Sequence, residues 1–309
     1  MKVFLAIFAL VLFANCDYIS KVIKKYKDVS KSWETTSYEE SIFRGWNEDE
    51  IKGLLGTTEF FEQKIDKYFK LDTVSDLKDL PTDFDARKQW PNCIHPIRDQ
   101  GHCGSCWAFG VSEAISDRFC IASNQKINIV FAPQDLVSCD TVVNKGCNGG
   151  NPLLAYTYTS IKGIVTDQCF PYTSGTTKET GPCLIENKTC VSTSVPYLKY
   201  HTKALTIKTL TTVSQIQTDM YTNGPITAAM MVYEDFMSYK SGIYVRHSNQ
   251  LLGGHAIKGV GWGHDQTTGY NFWIMANSWS PNWGENGFFR IRWGECEIDS
   301  MASSAQADV

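Results

Sequence analysis

The stretch of sequence that decides the fold spans residues 100 to 109 and reads Gln100-Gly101-His102-Cys103-Gly104-Ser105-Cys106-Trp107-Ala108-Phe109. It leads into a run at 106–123 in which apolar residues recur every three or four positions. This spacing predicts a helix that begins at Cys106. Unpaired N–H groups and the helix dipole at that end favour a negative charge, and a cysteine is a useful nucleophile only as the thiolate. The segment therefore predicts a reactive cysteine, which needs a nearby imidazolium to complete the lowering of its pKa.

Of the six histidines, His255 has the most suitable setting for that role. It stands in the glycine-punctuated segment Gly253-Gly254-His255-Ala256-Ile257, which lets backbone approach a substrate closely, and lies 149 residues beyond Cys106 (255 minus 106). Asn277 follows 171 residues beyond Cys106 (277 minus 106), in Ala276-Asn277-Ser278-Trp279. An asparagine oxygen can accept the imidazole N–H and orient the ring, and Trp279 would shield that hydrogen bond from water.

These three segments resemble those of papain-like cysteine peptidases, whose nucleophile signature is C-G-[SA]-C-[WY]. Further segments resemble cathepsin B-like members of that family: Leu80-Pro81-Thr82-Asp83-Phe84-Asp85-Ala86-Arg87, Gly146-Cys147-Asn148-Gly149-Gly150 and Gly284-Glu285-Asn286-Gly287-Phe288-Phe289. The resemblance implies an α+β, papain-like fold of two halves. A helical left half would carry Cys106, a β-barrel-like right half would carry His255 and Asn277, and the active-site cleft would lie between them. Strand signals at 254–262, 270–276 and 287–293 fit the right half.

The resemblance also implies a role for each site residue. Cys106 would attack as a thiolate, His255 would carry the proton, Asn277 would orient the imidazole, and Gln100 would stabilise the oxyanion. Substrate would be bound by Gly149, Gly150, Gly254, Ala256, Trp279 and Met301. We therefore expect a cysteine endopeptidase that works through an acyl-enzyme.

Each of these residues also has an ordinary structural explanation. A cysteine in a secreted chain usually forms a disulfide, a histidine between glycines is usually a surface or core residue, and an asparagine beside a tryptophan is usually part of a turn. The presence of all three segments in the family's order favours catalysis. Two alternatives are a papain-like transpeptidase or ligase and a non-catalytic binding relative.

Two departures from cathepsin B bear on specificity. Cathepsin B trims dipeptides by means of a loop that bears two adjacent histidines, and no histidine occurs here between Cys147 and Cys190. The segment at 170–182 is also too short to cap the primed side of the cleft. Met301 stands where cathepsin B has a glutamate that accepts basic side chains. We therefore expect endopeptidase activity with a preference for apolar P2 residues.

The composition excludes several other classes of protein. The 309 residues are 43% hydrophobic and carry a net charge of −4, which is not the basic excess of a nucleic-acid-binding protein. A short charged start followed by apolar residues predicts a signal peptide at 1–16, and no later apolar run is long enough to span a membrane. We expect a soluble monomer that has no membrane or nucleic-acid partner and resides in the secretory pathway, in a lysosome-like or vacuole-like compartment or secreted.

The eleven cysteines, less Cys16 and Cys106, leave an odd nine. The resemblance implies the pairs Cys93–Cys120, Cys103–Cys147, Cys139–Cys183 and Cys169–Cys190, the last two less firmly, with Cys296 as a buried free thiol. A zinc site is the rival explanation. No second C-x-x-C follows Cys103 and Cys106, and histidine is scarce near the cysteines, so we expect neither a metal nor a cofactor.

Residues 17–79 are rich in charged side chains and read as an inhibitory propeptide of the short type, with Trp33, Phe43 and Trp46 as apolar anchors. An unrelated accessory domain is the alternative. Residues 80–309 would form the peptidase, with the helical half at about 81–182 and the β-rich half at about 183–300. The expected partners are protein and peptide substrates, the chain's own propeptide and cystatin-type inhibitors. Asn187-Lys188-Thr189 is a candidate glycosylation site.

Overall fold

The computed structural model of the chain describes residues 17–57, 79–192 and 195–309. The predicted signal peptide at 1–16 and the last part of the predicted propeptide, 58–78, lie outside the described residues. No helix within the described residues is long and apolar enough to cross a membrane.

The helices are short except for one at the centre of the molecule. They span Tyr18–Tyr26, Glu48–Lys52, Ala86–Gln89, Cys106–Ala122, Pro133–Cys139, Pro152–Ile161, Ser174–Thr177 and Val213–Asn223. Single 3₁₀ turns occur at Gly146–Asn148, Ala204–Thr206, Glu234–Ser238 and Glu295–Glu297. Helices therefore dominate the range predicted to be helical, and Val213–Asn223 is an additional helix within the range predicted to be β-rich.

The strands form one mixed sheet. In chain order they are β1 (Trp33–Thr35), β2 (Phe84–Asp85), β3 (Lys208–Leu210), β4 (Ile226–Tyr233), β5 (Tyr239–Tyr244), β6 (Leu251–His264), β7 (Asn271–Ala276), β8 (Phe288–Arg292) and β9 (Ala302–Ser304). Their order in the sheet is β1-β5-β8-β7-β6-β4-β9-β3, and β2 pairs with β6. All pairs are antiparallel except β5 with β8.

The sheet is open, so the expectation of a β-barrel-like half is wrong in this respect. Within the described residues β1 pairs with β5 and β3 pairs with β9, but these two outer strands do not pair with each other. A barrel needs every strand edge to be matched by a neighbour. Here β1, which occupies one outer position, comes from the predicted propeptide.

The predicted helix at Cys106 is confirmed, with bounds Cys106–Ala122 in place of 106–123. We call it the central helix. The spacing of its apolar residues predicted one buried face, whereas every residue from Cys106 to Cys120 is buried. Asp117 accepts hydrogen bonds from His95 and Lys258 at 2.7 Å each, and Arg118 donates to Asp219 at 2.5 Å. These buried charges are tolerated because each has an oppositely charged partner on a neighbouring element.

The four predicted disulfides are confirmed. Cys93–Cys120, Cys103–Cys147, Cys139–Cys183 and Cys169–Cys190 are bonded, and Cys106 and Cys296 are free and buried. The Cys103–Cys147 bond joins the residues just before the central helix to the Gly146–Asn148 turn, so it fixes the loop that contains Gly149 and Gly150 next to Cys106.

The N-terminal segment 17–57 packs against the β-rich half. Its β1 strand pairs with β5, and the Trp33 indole donates to the carbonyl of Val245 at 2.9 Å. Lys25 and Tyr26, at the end of the first helix, both contact the Glu234 carboxylate, at 2.5 and 2.7 Å. Of the three predicted anchors, Trp33 and Phe43 are buried and Trp46 is partly buried.

Candidate active site

Cys106 is the first residue of the central helix and is fully buried. Its sulfur accepts a hydrogen bond from the backbone N–H of Gly56 at 3.3 Å. The backbone N–H of Ala256 also acts to lower the pKa of the thiol, which places the sulfur beside the residue that follows His255. The predicted nucleophile and the predicted histidine segment therefore meet at the start of this helix.

His255 and Asn277 are brought together by two neighbouring strands. His255 lies on β6 and Asn277 follows β7, and these strands pair with Lys258 opposite Ala276. The His255 Nε2–H donates to the Asn277 side-chain oxygen at 2.8 Å. The Trp279 ring stacks on the imidazole with ring centroids 4.5 Å apart and is only 2% exposed. With Nε2 held in this way, Nδ1 is the nitrogen left to take up a proton.

Gln100 is fully buried, and both ends of its amide are held. Its Nε2 donates to the carbonyls of Cys103 at 2.8 Å and Leu54 at 3.0 Å. Its Oε1 accepts from the Ser278 hydroxyl at 2.8 Å, and its backbone N–H donates to the Ser278 carbonyl at 2.9 Å. Ser278 is a positioning residue that the sequence reasoning quoted only as part of the Asn-Ser-Trp motif.

The main chain of residues 54–57 occupies the site. Besides the contacts of Leu54 with Gln100 and of Gly56 with Cys106, the Gly56 carbonyl accepts from the Gly150 N–H at 2.8 Å. The Thr57 N–H donates to the Gly254 carbonyl at 3.1 Å. All three predicted substrate-binding glycines line this segment: Gly150 and Gly254 through these hydrogen bonds, and Gly149 through its close approach to Gly56.

Glycine is required where this segment approaches most closely. A Cβ on Gly56 would lie 1.9 Å from the Gly104 carbonyl oxygen, and a Cβ on Gly149, whose φ is +109°, would lie 2.7 Å from the Gly56 oxygen. Real side chains do not come so near backbone atoms. The fit therefore depends on the absence of side chains on both surfaces.

The two remaining predicted substrate-binding residues differ in setting. Ala256 is fully buried on β6, next to His255. Met301 is partly buried just before β9, where its carbonyl accepts from the Ala229 N–H at 2.9 Å and its side chain packs against the hydrophobic cluster that contains Trp107. Met301 is thus fixed by packing across the two halves of the molecule.

Burial opposes both charges of the expected ion pair in this form of the protein. It raises the pKa of the Cys106 thiol, partly offset by hydrogen bonds from the Ala256 and Gly56 N–H groups, and it lowers the pKa of His255 to about 4. Gly56 contacts the Cys106 sulfur and Thr57 binds the Gly254 carbonyl next to His255, and a buried charge without solvent is disfavoured. The thiolate and imidazolium expected from the sequence are therefore suppressed while this segment is in place.

The segment at 170–182 packs beside Gln100. It contains the short helix Ser174–Thr177, and the Gly175 carbonyl accepts from the His102 N–H at 2.9 Å. The Gln134 side chain holds this segment by accepting from the N–H groups of Thr173 and Ser174. The segment is thus fixed against the loop that precedes the central helix.

Comparison with known proteins agrees with this geometry. A family model described as papain family cysteine protease matches residues 80–306. The chain belongs to the papain family. It is 43% identical over 247 residues to cathepsin B-like cysteine proteinase 4 of Caenorhabditis elegans, covering 71% of this chain and 73% of that protein. It is 41% identical over 251 residues to the gut-specific cysteine proteinase of the same organism, covering 75% of each.

Solved structures show the same fold. The procathepsin B S9 of Trypanosoma congolense has a TM-score of 0.81 and 30% identity and covers 94% of this chain and 98% of that one. A digestive procathepsin L 3 of Tenebrio molitor has a TM-score of 0.72 at 21% identity, covering 94% and 88%. The predicted papain-like, cathepsin B-like family is confirmed, and this papain-family chain is a cysteine peptidase.

Proposed function

We propose that this chain is the latent precursor of a cysteine endopeptidase in which Cys106 is the nucleophile, His255 the acid and base, Asn277 the orienting group and Gln100 the oxyanion donor. The observation that supports this proposal is the binding of the main chain of residues 54–57 in the site. A peptide carbonyl lies on the Gln100 amide and a peptide N–H lies on the Cys106 sulfur. A site that binds main-chain groups at both positions is suited to a peptide bond.

The reaction follows from this arrangement. Once the site is open to water, the Cys106 proton moves to His255 Nδ1, and the thiolate attacks the carbonyl carbon of the substrate. Gln100 Nε2 and the Cys106 backbone N–H stabilise the oxyanion. When the C–N bond breaks, His255 returns the proton to the leaving amine. It then takes a proton from water, which hydrolyses the thioester and regenerates the thiol.

Latency follows from the direction of the bound segment. Leu54 lies at Gln100, and the following residues Gly56 and Thr57 lie at Gly150 and Gly254. If Gly150 binds the part of a substrate before the scissile bond, residues 54–57 have the opposite polarity to a substrate. Their peptide bonds are then presented to Cys106 in a non-productive orientation. Residues 17–57 would hold the segment in place through β1 and the contacts at Glu234.

The proposal extends to the specificity of the enzyme and to its location in the cell. The lack of histidine between Cys147 and Cys190 supports endopeptidase rather than dipeptide-trimming activity, and the thioether of Met301 supports a preference for apolar P2 residues. The four disulfides support maturation in the oxidising secretory pathway, with a lysosome-like or vacuole-like compartment or secretion as the destination.

Replacement of the nucleophile tests the catalytic assignment. Cys106→Ala should lower peptide hydrolysis by at least about 10⁴-fold and stop self-processing of the full-length precursor at acid pH. Cys296→Ala, which removes the other free buried thiol, is the matched control and should retain activity. Hydrolysis by Cys106→Ala at the wild-type rate would end the assignment.

A glycine replacement tests latency. Gly56→Ala places a methyl group against the Gly104 carbonyl, so the segment must shift, and the precursor should become active about tenfold faster in a time course of self-processing. Gly53→Ala is the control, because its Cβ would meet only helix carbonyls at 3.3 Å. Equal activation of the Gly56 and Gly53 variants would count against the inhibitory seating.

A further inference from the structure

His102 is the one residue of the opening motif, between Gln100 and Cys106, that carries a ring into the cleft, and the proposed mechanism gives it no task. In the precursor its imidazole stacks face to face on the Trp46 indole, with centroids 4.0 Å apart and planes 16° apart. Beside it the Phe43 ring meets Trp279 edge to face, with centroids 5.4 Å apart. The N-terminal segment thus places two aromatic side chains on this part of the cleft.

The backbone that carries the His102 ring is fixed on both sides. The His102 N–H donates to the Gly175 carbonyl, and the next residue, Cys103, is bonded to Cys147. The preceding Gly101 has φ of +56° and would clash with Gly175 if it carried a Cβ. The backbone that carries the ring therefore stays in place when the partner ring leaves, and removal of Trp46 exposes the face of the imidazole on which it stacks.

The order of contacts along the N-terminal segment locates this ring. Trp46 precedes Leu54, which lies at Gln100, and Gly56 and Thr57 lie at Gly150 and Gly254. Since Gly150 is proposed to bind the substrate before its scissile bond, the opposite end of the cleft, where His102 and Trp279 lie, receives the residues after the scissile bond. That end has room, because a cavity of about 220 Å³ remains between the N-terminal segment and the residues His102 and Trp279.

The chemistry of the ring favours an aromatic partner in both of its protonation states. A neutral imidazole stacks on an aromatic face, and a protonated one is attracted to it by a cation–π interaction. The charged groups around His102 are Lys178, Glu50 and Asp99, and Glu50 leaves with the N-terminal segment. Stacking therefore does not require one particular pH.

We propose that His102 is a specificity-determining residue of the primed side, where its exposed face stacks on a Trp, Tyr or Phe side chain of the substrate. This inference rests on the proposed peptidase function. Trp46 then occupies, in the precursor, the place that an aromatic substrate residue takes in the mature enzyme.

The test uses the processed wild-type enzyme and internally quenched peptides in which P1′, P2′ and P3′ are varied in turn among Trp, Phe, Leu and Ala. At one of these positions Trp or Phe should raise kcat/KM about two- to tenfold over Ala, and more than Leu does. In His102→Ser the advantage of Trp or Phe over Ala should fall to the advantage that Leu has over Ala. In His102→Phe, which keeps a flat ring, the aromatic advantage should be retained.

His264→Ser is the matched control. It removes a histidine at the end of β6 that pairs with Asn271, outside the cleft, and should leave the ratio unchanged. The inference is overturned if the wild-type enzyme shows no aromatic preference at any primed position, or if the preference survives in His102→Ser. An enzyme that cleaves none of the peptides would overturn the proposed function itself, so the two failures are distinguishable.

Discussion

The helical part of the molecule presents Cys106 from a region closed by disulfides, whereas the β-rich part presents His255 and Asn277 from paired strands. Within the described residues, the eight disulfide-bonded cysteines lie from Cys93 to Cys190, and the sequence has one cysteine after Cys190, the free Cys296. The segments on both sides of the proposed nucleophile are therefore fixed by covalent cross-links, at Cys103 and Cys120. The imidazole depends on the register of β6 against β7 and on the ring of Trp279.

Gln100 shows that this division is not complete. It precedes the central helix in the sequence, yet its amide and backbone are held by Ser278, which follows β7. Asp99 and Trp279 also form a β-bridge at this point. The proposed oxyanion donor is thus held from both parts, because the Cys103 carbonyl accepts from its amide N–H and Ser278 donates to its amide oxygen. A disturbance of the Asn277-Ser278-Trp279 turn, which contains one of the four proposed catalytic residues, should consequently also reach His255 and Gln100.

The largest expected effect comes from a comparison of His255 with Asn277, the two proposed catalytic residues on the β-rich part. His255→Ala removes the proton carrier and should lower kcat/KM by about 10⁴-fold. Asn277→Ala leaves the imidazole in place but unoriented, and should lower it by about 10- to 100-fold. Both values come from peptide hydrolysis by the processed enzyme, with the concentration of active sites determined by thiol titration.

Asn271→Ala is the matched control for this pair of variants. Asn271 also accepts a hydrogen bond from a histidine on β6, His264, at 2.8 Å, but on the exposed end of the strands. Its loss should leave kcat/KM within about twofold of wild type, as is usual for exposed positions. If Asn277→Ala proved more damaging than His255→Ala, the roles proposed for the two residues would be wrong.

Short motifs could be read from the sequence more readily than the contacts that surround them. Cys106, His255, Asn277 and Gln100 stand in short motifs that could be read directly, and their catalytic roles stay predictions. The spacing of apolar residues predicted the helix at Cys106, and the family resemblance implied the four disulfides; the structure contains both. The binding of residues 54–57 in the site could not be predicted, because it depends on contacts with residues about 50 to 200 positions away. The open sheet was missed for a similar reason, since its outer strands β1 and β3 pair with β5 and β9, which are distant in the sequence.

Glu113 provides a test of the contact between the two parts. It is buried on the central helix, and one of its oxygens has no hydrogen-bond partner among the described residues. Burial raises its pKa to about 7, although the nearby positive charges of Lys258 on β6 and of Arg98 act to lower it. The ordinary glutamate value is 4.5. The folded protein therefore binds more protons than the unfolded one between these pH values, and stability falls as the pH rises from 4.5 to 7.

Glu113→Gln should remove this dependence. In a Cys106→Ala precursor, which cannot process itself, the variant should gain up to about 3 kcal/mol of stability at pH 7.5 and little or none at pH 4.5. Denaturant unfolding at both pH values measures the difference. Glu186→Gln, at an exposed glutamate, is the control and should follow the wild-type profile. A Glu113→Gln variant that is equally destabilised at both pH values would show that the carboxylate has a required partner.

The smallest expected effect concerns Met301, which reaches from the start of β9 onto the hydrophobic cluster of the helical part. If this side chain forms the floor of the P2 pocket, an apolar P2 residue gains by burial, whereas an arginine there has no charge partner. Met301→Glu should then raise kcat/KM for P2-Arg relative to P2-Phe substrates by about tenfold, because a charge-assisted hydrogen bond becomes available. Met301→Leu keeps the apolar floor and should retain the wild-type ratio. Cleavage of P2-Arg and P2-Phe substrates at equal rates by the wild-type enzyme would contradict this role, since an apolar floor formed by Met301, which packs between the two parts of the molecule, should favour P2-Phe.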